Sequence, residues 1–250
     1  MQYEVIIAED EELILNNLIQ KVNAHPAFKV AGAAQTGTDA LNLVKEHSPI
    51  LLMTDIRMPV MDGMELLNKT RELYPDMRFI IISGFSDFEY AREAIHLKVY
   101  DYLLKPVSLE DIHEVLFRLQ KELELEKENY QSYFSEDYTH IAPAKIAQLL
   151  HEFITTHYQD SLNLSIIAQT MNYSQSYLTK IFLQEYNCTP IKYLNSLRLK
   201  KACSFLIYNP ELTISQIATL TGYEDQGYFS RTFKKNLGIS PLQYRKNHEG

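Results

Sequence analysis

Pro49-Ile50-Leu51-Leu52-Met53-Thr54-Asp55-Ile56-Arg57-Met58-Pro59 decides how the front half of the chain is read. Ile50–Thr54 is apolar without polar alternation, the pattern of a strand buried on both faces. It stops at Asp55, and Pro59 shapes the loop that follows. Gly63 is expected to supply a positive φ in the turn before the next helix. Working outward, Tyr3–Ala8 is a second short apolar run, and it ends in Glu9-Asp10-Glu11-Glu12. Val30–Ala34, Phe79–Ile82 and Tyr102–Leu104 read as further strands. Between them, Glu12–Val22, Asp39–His47, Met64–Leu73 and Phe88–Leu97 carry apolar residues at helical spacing, and a long helix starts at Ser108. Strands alternating with helices through short connections imply an α/β fold, a doubly wound five-stranded parallel sheet. In such a sheet, ligands bind at the carboxyl ends of the strands.

The strand ends hold the chemistry. The first delivers Glu9 and Asp10, the third Asp55, the fourth Ser83, and the fifth Lys105 ahead of Pro106. Three carboxylates converging on one crevice repel one another and call for a cation, and hard oxygen donors with open positions suit Mg²⁺. A lysine and a hydroxyl beside them would neutralise and hydrogen-bond a phosphoryl group. A carboxylate can itself attack phosphorus to give an acyl phosphate. Taken singly, each of these residues is explained equally well as a solvated loop residue. Together, residue type and strand end agree at every site.

On these residues the front half resembles the receiver domain of two-component response regulators, a flavodoxin-like, CheY-like fold. The matching motifs are Glu9-Asp10, Asp55-Ile56-Arg57-Met58-Pro59 with Asp62-Gly63, Ser83-Gly84, and Tyr102-Leu103-Leu104-Lys105-Pro106. The resemblance implies that Asp55 accepts phosphate from a sensor histidine kinase. It implies that Glu9, Asp10, Asp55 and the backbone carbonyl of Arg57 serve Mg²⁺, with Glu9 acting through water. Ser83 and Lys105 would contact the phosphoryl oxygens, Tyr102 would be an aromatic switch, and the Lys105–Pro106 bond would be cis. Many relatives have Asp where this chain has Glu9.

Composition separates the halves. Residues 1–130 carry 13 Lys+Arg against 23 Asp+Glu, and residues 131–250 carry 11 against 9, so an acidic front meets a mildly basic back. That asymmetry suggests two domains with different partners. No apolar run is long enough for a membrane span, and the N-terminus lacks a secretory signal pattern. Two cysteines, Cys188 and Cys203, cannot build a disulfide framework or a four-ligand zinc site. The eight histidines show no metal spacing. A reducing, cytoplasmic setting is expected.

The expected organisation is a receiver domain over 1–120, a helical linker or hinge over 121–144 and a second domain over 145–250. In the connecting helix, Ile112, Leu116, Leu119 and Leu123 recur at spacings of 4, 3 and 4. The stripe either covers the sheet and then runs on as a solvated helix, or forms a short two-stranded coiled coil between subunits. Asn129–Pro143 reads as the hinge.

The back half contains an internal repeat. Ile167-Ala168 with Tyr173 recurs 50 residues on as Ile217-Ala218 with Tyr223, and Phe182 recurs 51 residues on as Phe233. Each copy reads as helix, turn, helix: Ser165–Thr170 with Ser174–Glu185, then Ser215–Leu220 with Asp225–Asn236. A long helix, Ile191–Tyr208, lies between them. A helix-turn-helix presents its second helix to the major groove. Off the apolar stripe, those second helices carry Gln175, Ser176, Thr179 and Lys180, then Gln226, Gly227, Ser230 and Arg231. Gln pairs with adenine edges, and Arg or Lys with guanine. Arg198, Lys200, Lys201, Lys234 and Lys235 are candidate phosphate contacts, which position without specifying. The alternative is an ordinary polar face on a helical bundle.

This half resembles the AraC/XylS-type DNA-binding domain, most closely in Gly222-Tyr223, Tyr228-Phe229-Ser230-Arg231-Thr232-Phe233-Lys234-Lys235, Gly238 and Ser240-Pro241-Leu242-Gln243-Tyr244-Arg245. The resemblance implies seven helices and two helix-turn-helix units. The first copy departs from it, with Asn187-Cys188 near the place of Gly238 and little positive charge. The combined expectation is a DNA-binding response regulator rather than an enzyme. Phosphorylation of Asp55 would control dimerisation and binding of double-stranded promoter DNA, and RNA polymerase would be recruited. A regulator that works without phosphorylation is the alternative. A Mg²⁺-dependent phosphatase with an aspartyl nucleophile is disfavoured, because Arg57 stands where such enzymes place a second Asp.

Overall fold

A computed structural model describes residues 2–84, 94, 97–134, 138 and 140–248. The expected helix Phe88–Leu97 lies outside the described residues except for Ala94 and Leu97. By compactness the chain divides into one unit of Met1–Glu136 with Asn163–Gln175, and another of Asp137–Leu162 with Ser176–Gly250. Among the described residues, no helix is long and apolar enough to cross a membrane.

The first unit is built on β1 (Tyr3–Ala8), β2 (Phe28–Ala34), β3 (Leu51–Asp55), β4 (Arg78–Ser83) and β5 (Asp101–Leu104). They pair in parallel in the order β2-β1-β3-β4-β5. Every residue of β3, and all of β4 except Arg78, is buried, so these strands read as apolar runs rather than alternating ones. The strand order reverses between β1 and β3, which opens a crevice at their carboxyl ends. Among the described residues, α1 (Glu12–Asn23), α2 (Gly37–His47) and α3 (Gly63–Leu73) connect successive strands from β1 to β4. The Thr36 hydroxyl caps α2 and the Asp62 carboxylate caps α3.

Helix α4 (Leu109–Gln131) opens on a capping box between Ser108 and Asp111 and runs for 23 residues. Ile112, Leu116, Leu119 and Leu123 are buried within this chain. The coiled-coil reading fails for that reason, since its seam is already covered. The hinge expectation also shifts, because the helix continues through Asn129 and Tyr130 to Gln131, and Tyr130, Phe134 and Tyr138 are buried. Three aromatic side chains of the expected hinge are thus buried, while Tyr133 is exposed.

The remaining helices are α5 (Pro143–Thr156), α6 (Leu164–Thr170), α7 (Gln175–Tyr186), α8 (Pro190–Tyr208), α9 (Ile214–Leu220), α10 (Gln226–Leu237) and α11 (Pro241–His248). These are the seven that the resemblance implied. The repeat holds down to the backbone. Tyr173 N–H donates to the Ala168 carbonyl, and Tyr223 N–H to the Ala218 carbonyl, both at 2.9 Å. Asn172 (φ 60°) matches Gly222 (φ 81°), and Asn187 (φ 55°) matches Gly238 (φ 80°), so each pair turns through the left-handed region. Asn is the residue that best replaces Gly there, so the departures in the first copy preserve the turns.

In the second unit, Leu199, Ala202, Leu206, Ile217, Ala218, Tyr223, Phe229 and Phe233 form one apolar cluster. Arg198 is buried beside it. Its Nε donates to the Tyr158 carbonyl and its Nη2 to the Asp160 carbonyl, both at 2.7 Å. Its guanidinium also lies over the Tyr223 ring. The expected phosphate contact at Arg198 is therefore corrected: this cation ties α8 to the segment after α5. Lys200 and Lys201 remain exposed.

Gly222 makes the Arg198 arrangement possible, since a Cβ there would lie 2.7 Å from the Tyr158 carbonyl and 2.8 Å from Arg198 Nη2. Gly222→Ala should therefore lower the urea midpoint by more than the equivalent of about 1 kcal/mol. Gly222→Asn, which tolerates the left-handed φ, should be destabilised as well. An Asn variant as stable as wild type would leave the dihedral as the sole constraint.

Candidate functional site

The crevice at the switch point gathers the acids. One carboxylate oxygen from each of Glu9, Asp10 and Asp55 falls within 4.8 Å of the others. Glu9 is fully buried and Asp55 nearly so, whereas Asp10 is exposed. Lys105 Nζ reaches in from the end of β5, 2.8 Å from Glu9 Oε1 and 2.7 Å from Asp55 Oδ2. Glu9 Oε2 is also 2.7 Å from Nζ, as an ion contact without hydrogen-bond geometry.

Burial pushes the Glu9 carboxyl above its usual range, and the hydrogen bond from Lys105 only partly offsets this. Burial alone would lower the Lys105 ammonium. Hydrogen bonds and charge from Asp55 and Glu9 outweigh it, and the group is held above the ordinary lysine value. Lys105 is therefore a fixed positive charge. It balances only one of three carboxylates, and one of those is a group whose ionised form burial opposes. That excess of hard, negative oxygen donors fits a divalent cation such as Mg²⁺.

The backbone aims the central carboxylate. Ile56 N–H donates to Asp55 Oδ1 at 2.6 Å, so the backbone holds one oxygen and Lys105 the other. The Thr54 hydroxyl donates to the Asp55 carbonyl at 2.8 Å, and Gly63 N–H donates to the Ile56 carbonyl at 2.8 Å. Gly63 does not have the positive φ expected of it. It is glycine because a Cβ there would strike the Asp55 carbonyl oxygen. Between the two, Met61 N–H donates to the Pro59 carbonyl at 2.8 Å, closing a tight turn about Val60. Val60 is 90% exposed and has φ 69°.

Ser83 is buried at the end of β4, and its carbonyl accepts from Lys105 N–H at 2.8 Å, which sets the two strand ends side by side. Arg57 is exposed in the loop directly after β3. Tyr102, on β5, is half-buried against the sheet core.

In the helical half, Leu178, Ile181 and Phe182 bury one stripe of α7, and Phe229 and Phe233 one stripe of α10. Gln175, Ser176, Thr179 and Lys180 on α7 lie off the buried stripe, as do Gln226, Gly227, Ser230 and Arg231 on α10. Lys234 and Lys235 occupy the last turn of α10, where cations also suit the helix dipole. Asp225 caps α10, its carboxylate accepting from Tyr228 N–H at 2.6 Å, which accounts for an acid at the start of this helix. The Arg231 side chain lies near Gly227, since a Cβ at 227 would be 3.4 Å from Arg231 Nη1.

A switch-point crevice of acids and one lysine, joined in one chain to two helix-turn-helix repeats, defines the class: a DNA-binding regulator with a signal-receiving domain. Residues 5–117 match the response regulator receiver domain and residues 167–247 a helix-turn-helix domain of AraC type. The transcriptional regulatory protein HptR of Staphylococcus aureus is 32% identical over 261 residues, covering 98% of each chain. An uncharacterized response regulatory protein of Staphylococcus epidermidis is also 32% identical, over 255 residues and 98% of each chain. Among solved structures, the REC domain of AraT, a response regulator from Geobacillus stearothermophilus, shares 37% identity. It covers 51% of this chain and 99% of that one, with a TM-score of 0.48. The chain belongs to the response regulator family, whose members of this domain composition are non-enzymatic transcription regulators.

Gly63 sits against the carbonyl of the central aspartate, so Gly63→Ala must push that strand end or its own loop aside. The expected result is a loss of roughly 1–3 kcal/mol of stability, of the size seen for overpacking, read as a lower urea midpoint. An unchanged midpoint would mean the loop yields freely.

Proposed function

We propose that Asp55 is the phospho-acceptor and that its acyl phosphate controls the grip of the helical domain on promoter DNA. The observation that carries this reading is the placement of the Asp55 carboxylate, 2.7 Å from a buried-side lysine and within metal-ligand reach of Asp10 and Glu9. A carboxylate oxygen of Asp55 attacks phosphorus, the bond from phosphorus to the kinase histidine nitrogen breaks, and the imidazole leaves. Glu9, Asp10, Asp55 and the Arg57 carbonyl would hold Mg²⁺, which when bound offsets charge on the transferring group. Lys105, already fixed as a cation between Glu9 and Asp55, turns to the new phosphoryl oxygens. Ser83 supplies a hydroxyl to the same oxygens from the adjacent strand end.

The added charge biases a two-state element. Ser83 and Tyr102 move together, and the surface formed by 102–105 and α4 is remodelled. Dimerisation follows, and two helical domains bind paired promoter sites and recruit RNA polymerase. In this reading the protein works in the cytoplasm, with a sensor histidine kinase as its partner. On DNA, Gln175, Ser176, Thr179, Lys180, Gln226, Gly227, Ser230 and Arg231 face base edges, while Lys234 and Lys235 meet phosphates.

Acetyl phosphate with Mg²⁺ should label the wild-type chain but not Asp55→Ala, as read by intact mass. Label on the Ala variant at this crevice would refute the acceptor assignment. If wild type and Asp55→Asn had the same dimerisation and DNA affinity, regulation without phosphorylation would replace this reading. Arg231→Ala should cost ~1–3 kcal/mol of discrimination between specific and random duplexes, while Lys234→Ala should weaken both alike and reduce the salt slope by about one.

A further inference from the structure

Helix α4 is longer than its role over the sheet requires. Beyond Leu119 its last turns carry Leu123, Glu126 and Tyr130, and α6 packs against this helix. By sequence α6 is the first helix of the first repeat. By compactness it belongs with residues 1–136, and the boundary runs between Gln175 and Ser176 at the start of α7.

The contact is specific and buried. Asn163 is 3% exposed. Its backbone N–H donates to the Tyr130 hydroxyl at 2.9 Å, and its Nδ2 donates to Glu126 Oε2 at 3.1 Å. Its Oδ1 accepts from Ile166 N–H at 3.2 Å and so caps α6. The other Glu126 oxygen pairs with Arg78, the first residue of the strand that ends in Ser83.

The surroundings oppose DNA. Around the contact α4 carries Glu122, Glu124, Glu126 and Glu128 against Lys121 and Lys127. The first helix of a helix-turn-helix lies across the phosphate backbone. A helix held beside this acidic stretch is repelled from polyanionic DNA.

We infer that the α4–α6 contact, made by Tyr130, Glu126 and Asn163, is an inhibitory latch. While α6 is held on α4, the first repeat is withheld from DNA, and activation includes its release. The inference rests on the DNA-binding reading proposed above and adds to it a named intramolecular contact.

Asn163→Asp tests it with the cap retained, because Asp caps a helix as well as Asn does. The new carboxylate faces Glu126 and breaks the contact. A duplex is first selected from a randomised pool by the full chain with acetyl phosphate and Mg²⁺. The unphosphorylated Asn163→Asp chain should bind it about tenfold more tightly than unphosphorylated wild type, the effect of one lost buried hydrogen bond. Amide exchange over residues 164–170 should be faster. Adding Glu126→Gln to Asn163→Asp should return both readings toward wild type. Tyr130→Phe, which keeps the ring and removes the acceptor, should act in the same direction as Asn163→Asp. Unchanged exchange, or faster exchange with unchanged or weaker DNA binding, overturns the latch. A pool that yields no preferred duplex for any version sinks the DNA-binding reading, and the latch with it.

Discussion

The ammonium of Lys105, bonded at once to Asp55 and Glu9, is the interaction on which the receiver half depends. Three carboxylates brought to one switch point would drive the strand ends apart if nothing balanced them. One lysine at the end of β5 pulls β1, β3 and β5 toward a common centre, and Lys105 N–H to the Ser83 carbonyl adds β4. The compensation is incomplete, since a second acid stays exposed and the third is buried against the preference of its charge. The crevice is therefore stable enough to fold and still short of positive charge. Stability and function draw on the same few atoms.

A second constraint runs through the helical half. Turns that reverse through the left-handed region allow only Gly or Asn at small cost, and both repeats obey this at both turns. The two copies then diverge in what surrounds the turn. Asn172 is exposed, whereas Gly222 is packed against Tyr158 and Arg198. The second repeat is thereby anchored to the segment after α5 by a buried cation.

Much of this was legible in the residues. The ends of β1 match the apolar run that marks it, and the other described strands and the helices α1–α3 and α6–α10 lie within a residue or two of their sequence signals, because unbroken apolar runs and capped periodic stretches are local. Helices α5 and α11 carry no boundary signal that the sequence reading used. The strand-end acids and Lys105 were found because topology alone brings the ends of parallel strands together. What could not be read depended on contacts distant in sequence. Arg198 looks like a surface cation until Tyr158 and Asp160 are placed beside it. Gly63 looks like a turn glycine until the Asp55 carbonyl occupies the space of its missing side chain. The burial of Tyr130 had no local signal at all, since its partner Asn163 lies 33 residues on. One signal was present and unused: Asn187 stands at the repeat offset of Gly238, and Asn shares the left-handed turn with Gly.

Val60 gives the loop beside Asp55 a further property. A β-branched residue with positive φ is costly, and the Val60 side chain, 90% exposed, buries little surface to offset it; the hydrogen bond from Met61 N–H to the Pro59 carbonyl holds the turn. Buried Met58 and Met61 clamp the turn from either side. The segment is thus like a bent spring pinned at both ends, with its strain held against the strand that carries Asp55.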